Sequence, residues 1–281
     1  MKILLLGASG SIGGAIFKRL ASNHDVYGSY NENMPVDATN AQFVRYSLTD
    51  SEGILSLLDR VRPELVISSL TGDFEKQIVA HEHIAEYLNE TSGRCIYIST
   101  ANVFDGSPTG SKTENEKPYS ISSYGKFKIA CEQLLQSKLM DKCLIIRLPR
   151  TLNHKSISIE IEQIEKNRSV INNLFMSYNT ADNVANALSY CIEKSKHGIL
   201  HLSSRDSIAT SDFVKLMLSS ESKDFKYSVI KLTPEEYCKI LGCNDISLLH
   251  FNIDGNFYLS LDSVDSEIKT QFAISCEEVM T

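Results

Sequence analysis

Lys2-Ile3-Leu4-Leu5-Leu6-Gly7-Ala8-Ser9-Gly10-Ser11-Ile12-Gly13-Gly14 decides how this chain folds. Ile3 to Leu6 is a short, unbroken apolar run, which suits a strand buried on both faces. The glycines that follow are spaced G-x-x-G-x-x-G, and an amphipathic stretch continues to about Ala21. The order is therefore strand, glycine turn, helix. Glycines let the backbone turn tightly and approach a pyrophosphate closely. The helix start then offers free N–H groups and a positive dipole end to the anion. The bland alternative is a structural turn with no ligand, and the placement between an apolar strand and a helix argues against it.

Outward from this unit, strand and helix patterns alternate. Further strands are expected at Asp25–Tyr30, Phe43–Leu48, Leu65–Leu70 and Arg94–Thr100. Helices are expected at Ser51–Val61, with Asp50 or Ser51 as cap, and at Phe74–Asn89. Such alternation predicts an α/β fold with a parallel, doubly wound sheet of the Rossmann type. Ligands of these sheets lie beyond the carboxyl ends of the strands, where Gly7, Ser69 and Thr100 fall. His81 and His83 lie two apart on a helix, so they face different ways and read as packing or surface groups.

Ser120 to Glu132 reads as the opening of another helix, with serines able to cap it. Tyr124 and Lys128 are four residues apart and share one face. A nearby ammonium favours the phenolate and lowers a tyrosine's pKa. A phenol tuned in this way exchanges a proton with a carbonyl or alcohol oxygen. Alone, the pair reads better as an aromatic beside a snorkelling lysine.

Size and charge bound the rest. The 281 residues, 42% hydrophobic, suffice for one large domain or two modest ones. A net charge of -7 argues against a general nucleic-acid or anionic-membrane binder. Seven cysteines without a C-x-x-C suggest a reducing compartment, and Cys95, Cys131, Cys143 and Cys191 read as buried apolar groups. Cys238 and Cys243 form no metal-ligand pattern, so no metal is expected. With no signal-peptide pattern and no membrane-length apolar run, the expected location is the cytoplasm.

Ser99-Thr100-Ala101-Asn102-Val103-Phe104-Asp105-Gly106, with Tyr124-Gly125-Lys126-Phe127-Lys128-Ile129-Ala130-Cys131-Glu132, resembles the extended short-chain dehydrogenase/reductases. The nearest branch is similar to the dTDP-4-dehydrorhamnose reductases, which carry S-T-D-Y-V-F-D-G and Y-G-x-x-K-x-x-x-E. Ile145 to Pro149, Asn179 to Ala185, Gly198 to Ser203 with Ser211 to Phe213, and Leu259 to Asp262 extend the likeness. It is dense to about residue 150 and thin beyond.

The resemblance implies an NAD(P)-binding part over residues 1–150, with 178–204 returning to it, and a mainly substrate-binding lobe over 151–281. It implies a catalytic set of Thr100, Tyr124 and Lys128. Tyr124 would give a proton to a ketone oxygen, Lys128 would lower its pKa and hold the nicotinamide ribose, and Thr100 would bond the same oxygen. Cofactor contacts are expected from Gly7, Ser9, Gly10, Ser11, Ile12, Gly13, Tyr30, Leu48, Ser69, Leu70, Tyr124 and Lys128. The second strand ends Ser29-Tyr30-Asn31 without the acid typical of NAD sites. That leans slightly towards NADP(H) over NAD(H), although no arginine stands out for the extra phosphate.

The implied substrate is a nucleotide-linked keto sugar, the implied activity its reduction, and a homodimer is among the expected assemblies. The substrate side departs from the pattern: Ala101-Asn102 replaces Asp-Tyr, Ser68-Ser69-Leu70 replaces Asn-Ala-Ala, and Ser47 stands where an acid is expected. Those departures keep two alternatives open, an epimerase of the same superfamily and a non-catalytic NADP-binding regulatory subunit.

Overall fold

The computed structural model describes residues 1–34, 42–50, 52–107, 110–171, 175–220 and 226–231, with Thr233, Glu236 and Leu248. In chain order the first half comprises β1 (Lys2–Leu6), α1 (Ser11–Leu20), β2 (Asp25–Tyr30), β3 (Phe43–Arg45), α2 (Gly53–Val61), β4 (Leu65–Ser68), α3 (Phe74–Asn89), β5 (Arg94–Thr100), α4 (Ser123–Leu139) and β6 (Cys143–Leu148). There follow β7 (Arg150–Leu152), α5 (His154–Asn167), β8 (Ser169–Ile171), β9 (Phe175–Met176), β10 (Tyr178–Thr180), α6 (Ala181–Glu193), β11 (Gly198–His201), β12 (Ile208–Ala209), α7 (Thr210–Ser220) and β13 (Ser228–Ile230).

Seven of the strands form one sheet in the order β11-β6-β5-β4-β1-β2-β3, parallel at every pairing. The order reverses at β1, which has β2 on one side and β4 on the other. That reversal opens a crevice at the carboxyl ends of the strands.

The apolar run of β1 has no polar face because both faces are covered. Ile3 and Leu5 pack with Ile16 and Leu20 of α1 and Val184 and Leu188 of α6. Leu4 and Leu6 pack with Ile54 and Leu58 of α2 and Ile84 and Leu88 of α3. Each such side chain contributes about 1.5–3 kcal/mol by leaving water, so the switch point is anchored from above and below.

Three two-stranded sheets, β7 with β10, β9 with β12 and β8 with β13, flank the main sheet. A separate core of Ile157 and Ile161 from α5, Tyr178 from β10, and Phe213 and Val214 from α7 binds them together. The four cysteines expected to be buried are buried and free, whereas Cys238, Cys243 and the Leu259–Asp262 motif lie outside the described residues. No helix among the described residues is long and apolar enough to cross a membrane.

Several boundaries differ from the sequence expectation. β3 stops at Arg45 rather than Leu48: Tyr46 N–H still reaches Tyr30 O at 2.8 Å, but the Ser47 hydroxyl then takes the Thr49 N–H and turns the chain. β4 stops at Ser68, with Ser69 N–H making one more bond, to Leu6 O. The polar stretch from Ser158 to Asn167 reads as helical, and α5 begins earlier, at His154, because Asn153 and Ser156 form a reciprocal capping box. α2 begins at Gly53, whose N–H bonds to Asp50 Oδ1.

Candidate active site

The reversal in strand order gathers the residues singled out from sequence around one cleft. Gly7 leaves β1 with φ 82°, a conformation that glycine adopts without strain. A Cβ there would stand 2.6 Å from Ser69 O, and one on Gly13 would collide with Gly7 O. The loop, β4 and α1 are therefore packed backbone to backbone. The Gly7 N–H donates to Ser29 Oγ at 3.0 Å, tying the loop to β2. Ser29 gave no sequence signal for this role beyond being a small polar group in a strand.

Gly10 caps α1 without a side chain, and no acid lies in the first turn. The helix thus presents unpaired N–H groups and a positive end to the cleft. That arrangement fits an anionic pyrophosphate.

Two hollows of about 320 Å³ each meet at Gly10, Ser69, Leu70, Thr71 and Gly72. Gly7, Ser9, Tyr30 and Leu48 line one of them. Ser11, Ile12, Gly13, Thr100, Tyr124 and Lys128 line the other. Every residue expected at the site thus borders this cleft.

Tyr124 and Lys128 project from α4, which is capped by Ser122 through Gly125 N–H at 3.0 Å. The Tyr124 ring is partly exposed and bonds to the Thr100 side chain. Thr100 itself caps a single 3-10 turn, Ala101–Phe104, and its hydroxyl donates to Asn102 Oδ1 at 3.0 Å. Asn102, one of the departures from the family pattern, therefore orients Thr100.

Lys128 is buried beneath the ring. Its Nζ donates to Ile98 O at 3.0 Å and lies 5.9 Å from the Tyr124 ring centroid and 4.7 Å from that of Tyr97. Burial lowers the Lys128 pKa to about 8, opposed by the nearby Cys131 and Glu132. The expectation of an acidified Tyr124 is corrected here. Burial raises its pKa, and the bond to Thr100 opposes the rise without reversing it.

Sequence reading missed Gln77. It is 1% exposed and borders the cleft; its Nε2 donates to Gly72 O at 3.0 Å, while Oε1 has no partner among the described residues. A buried acceptor left open in this way fits a donor from a bound molecule. One turn on, His81 is fully buried between Ser68 Oγ at 2.9 Å and Gln77 O at 2.6 Å. A carbonyl only accepts, so Nδ1 carries the proton and Nε2 accepts from Ser68. Burial lowers the His81 pKa to about 4 and keeps it neutral. His83 is partly exposed, as two different faces require. Arg45 ends β3 and donates from Nε to Asn31 O at 3.1 Å, beside the end of β2.

The "RmlD substrate binding domain" family model matches residues 1–238. A probable low-salt glycan biosynthesis reductase of Haloferax volcanii is 24% identical over 236 residues, 76% of this chain and 78% of its own. The methionine adenosyltransferase 2 subunit beta of Danio rerio is 26% identical over 182 residues, 59% of this chain and 50% of its own. Among solved structures, a hypothetical dTDP-4-dehydrorhamnose reductase from Sulfolobus tokodaii superposes with TM-score 0.76 at 24% identity, covering 94% of this chain and 99% of its own. The Bacillus anthracis dTDP-4-dehydrorhamnose reductase, solved with NADP, gives TM-score 0.73 at 20% identity, covering 97% and 99%. At these identities the superpositions establish a shared fold; the family model, spanning most of the sequence, establishes kinship. The chain belongs to the RmlD substrate binding domain family, within the extended short-chain dehydrogenase/reductase superfamily that its motifs resemble.

Proposed function

We propose that this chain is an NAD(P)H-dependent reductase of a nucleotide-linked keto sugar. One observation carries the reading: Tyr124, Thr100 and Lys128 converge on the same hollow as the open helix start of the glycine loop. Curated relatives named dTDP-4-dehydrorhamnose reductase support the substrate class, and a neighbour solved with NADP supports the cofactor. Residues 1–150 with 178–204 would hold the cofactor, and 151–281 would mainly shape the substrate side.

The nicotinamide would supply a hydride to the carbonyl carbon. The chain's own residues do the rest. Gly10 to Gly13 would hold the pyrophosphate at the start of α1, and Gln77 borders the same hollow. Tyr124, kept protonated by burial, gives its hydroxyl proton to the carbonyl oxygen. Thr100 shares a hydrogen bond with Tyr124 and holds the oxygen in line. Lys128 stays charged at neutral pH and stabilises the phenolate as it forms. The product is an alcohol, and solvent returns the proton to Tyr124.

Tyr124→Phe tests the assignment. It should lower the turnover of nucleotide-linked 4-keto sugars, followed by NADPH absorbance, by at least about a hundredfold. NADPH affinity should stay near that of the wild type. Unchanged turnover would remove Tyr124 as the acid. The likeness to a methionine adenosyltransferase subunit favours a second reading, a regulatory subunit that binds nucleotide without turning it over. Under that reading a stable partner enzyme co-purifies and Tyr124→Phe is silent.

A further inference from the structure

The adenosine end of the cleft carries a charge arrangement that the sequence does not announce. We propose that Arg45 is the residue that recognises the 2′-phosphate of NADP(H) and so sets the cofactor preference of this chain. The proposal rests on the nucleotide-binding reading above and goes beyond it by naming a specificity residue.

The argument begins with register. β2 and β3 are parallel neighbours, and Tyr30 is paired directly with Arg45. Adjacent strands lie about 4.8 Å apart and paired residues point to the same face. Tyr30 and Asn31 line the cleft, so Arg45 stands one strand away from the position where a dinucleotide site reads its ribose hydroxyls. The bond from Arg45 Nε to Asn31 O, at 3.1 Å, turns the guanidinium towards the end of β2.

The charge balance agrees. Residues 29–31 contribute no carboxylate, and Glu32 points to solvent. Arg45 is exposed, and no carboxylate among the described residues forms an ion pair with it. One donor is used on Asn31 O, and the guanidinium fork keeps the others. A hollow of about 440 Å³ lined by Arg45 and Arg60 adjoins the cleft and shares Tyr46, Ser47 and Thr49 with it. Asp50 borders that hollow too, which leaves two cations against one anion. A phosphate ester on the ribose matches a planar fork of N–H donors, whereas a bare hydroxyl gains little from it.

The test is binding, measured by isothermal titration of the full chain with NADPH, NADH and the fragments adenosine 2′,5′-bisphosphate and 5′-AMP. The wild type should prefer each 2′-phosphorylated ligand of its pair. Arg45→Ala should weaken those two roughly ten- to hundredfold and leave NADH and 5′-AMP unchanged. Arg45→Lys should restore part of the difference, and the wild-type preference should shrink as salt is raised. Unchanged NADPH affinity in Arg45→Ala and in Arg45→Glu would overturn the proposal while leaving the reductase reading intact. So would a wild type that prefers NADH. A wild type that binds neither dinucleotide would overturn both.

Discussion

Lys128 shows how an environment outweighs a residue type. It is 6% exposed, and burial lowers its pKa to about 8. In the unfolded chain the same ammonium titrates near 10.4. Between those two values the unfolded chain binds more protons than the folded one, so stability rises with pH across that window. The cost of burying the charge is present in full below about pH 8 and gone above the unfolded value. Lys128→Met removes the titration. Denaturant melts should therefore show the variant gaining on the wild type at pH 7, by roughly 3 kcal/mol more than at the alkaline end of the window. The lost bond to Ile98 O offsets the curves equally at each pH, so a gap that does not change with pH would refute the buried charge. Tyr124 follows the same rule. The sequence shows the phenol and the ammonium four apart, but not that Phe74 and Phe127 pack beside them and partly desolvate both. Proximity argued for a lowered pKa, and desolvation decided for a raised one.

α4 is delivered to the cleft by a latch rather than by its own propensity. Asp105 is buried and accepts from Ser120 Oγ at 2.7 Å, Ile121 N at 2.9 Å and Ser122 Oγ at 2.5 Å. Ser122 in turn caps the helix one residue before it starts and two before Tyr124. A Cβ on Gly125 would collide with Asn102 O, so the first turn also presses against the segment that carries Thr100. Asp105→Ala removes the acceptor that these hydroxyls and the Ile121 N–H share. It should cost about 2–3 kcal/mol of stability and lower turnover about tenfold, with NADPH affinity unchanged. Intact turnover would show that α4 holds its place without the latch. Elements with a strong local pattern were legible in the sequence: β1 with its glycine loop and α1, β5, and α4 with its serine cap. The pairings of the short strands outside the main sheet were not. β8 pairs with β13 and β7 with β10, and nothing within three residues specifies either. α5 is capped by Asn153 with a serine in the place where a glutamate or glutamine would have announced the box. Thr233-Pro234-Glu235-Glu236 carries a helix-start signal, with proline at the first position and acids behind it; that helix falls mostly outside the described residues, though Thr233 and Glu236 exchange side-chain-to-backbone bonds.

A buried ionic network joins the sheet to the site. Arg147 of β6 meets Glu132 of α4 at 2.7 Å, with both side chains almost wholly buried. Ser99 of β5 donates to Glu132 at 2.5 Å, and the Arg147 guanidinium reaches His201 of β11 at 3.3 Å and the Phe104 ring at 5.1 Å. The Glu114 carboxylate accepts the His201 N–H at 3.1 Å. Glu132 lies one helical turn from Lys128 and opposes the fall in its pKa. The network thus has two separable effects. Removing one partner strands a buried charge, so Arg147→Met should cost about 3–5 kcal/mol. Replacing both, as Glu132→Leu with Arg147→Met, leaves no bare ion in the sheet and should recover most of that loss. Lys128, however, would then lack the carboxylate that helps it stay charged. If the proposed chemistry holds, the alkaline limb of the kcat profile should move to lower pH in the double variant even though its stability is restored. Restored stability with an unshifted limb would assign the pair to packing alone. A shifted limb would mean that the residues holding the sheet together also set the charge beneath Tyr124.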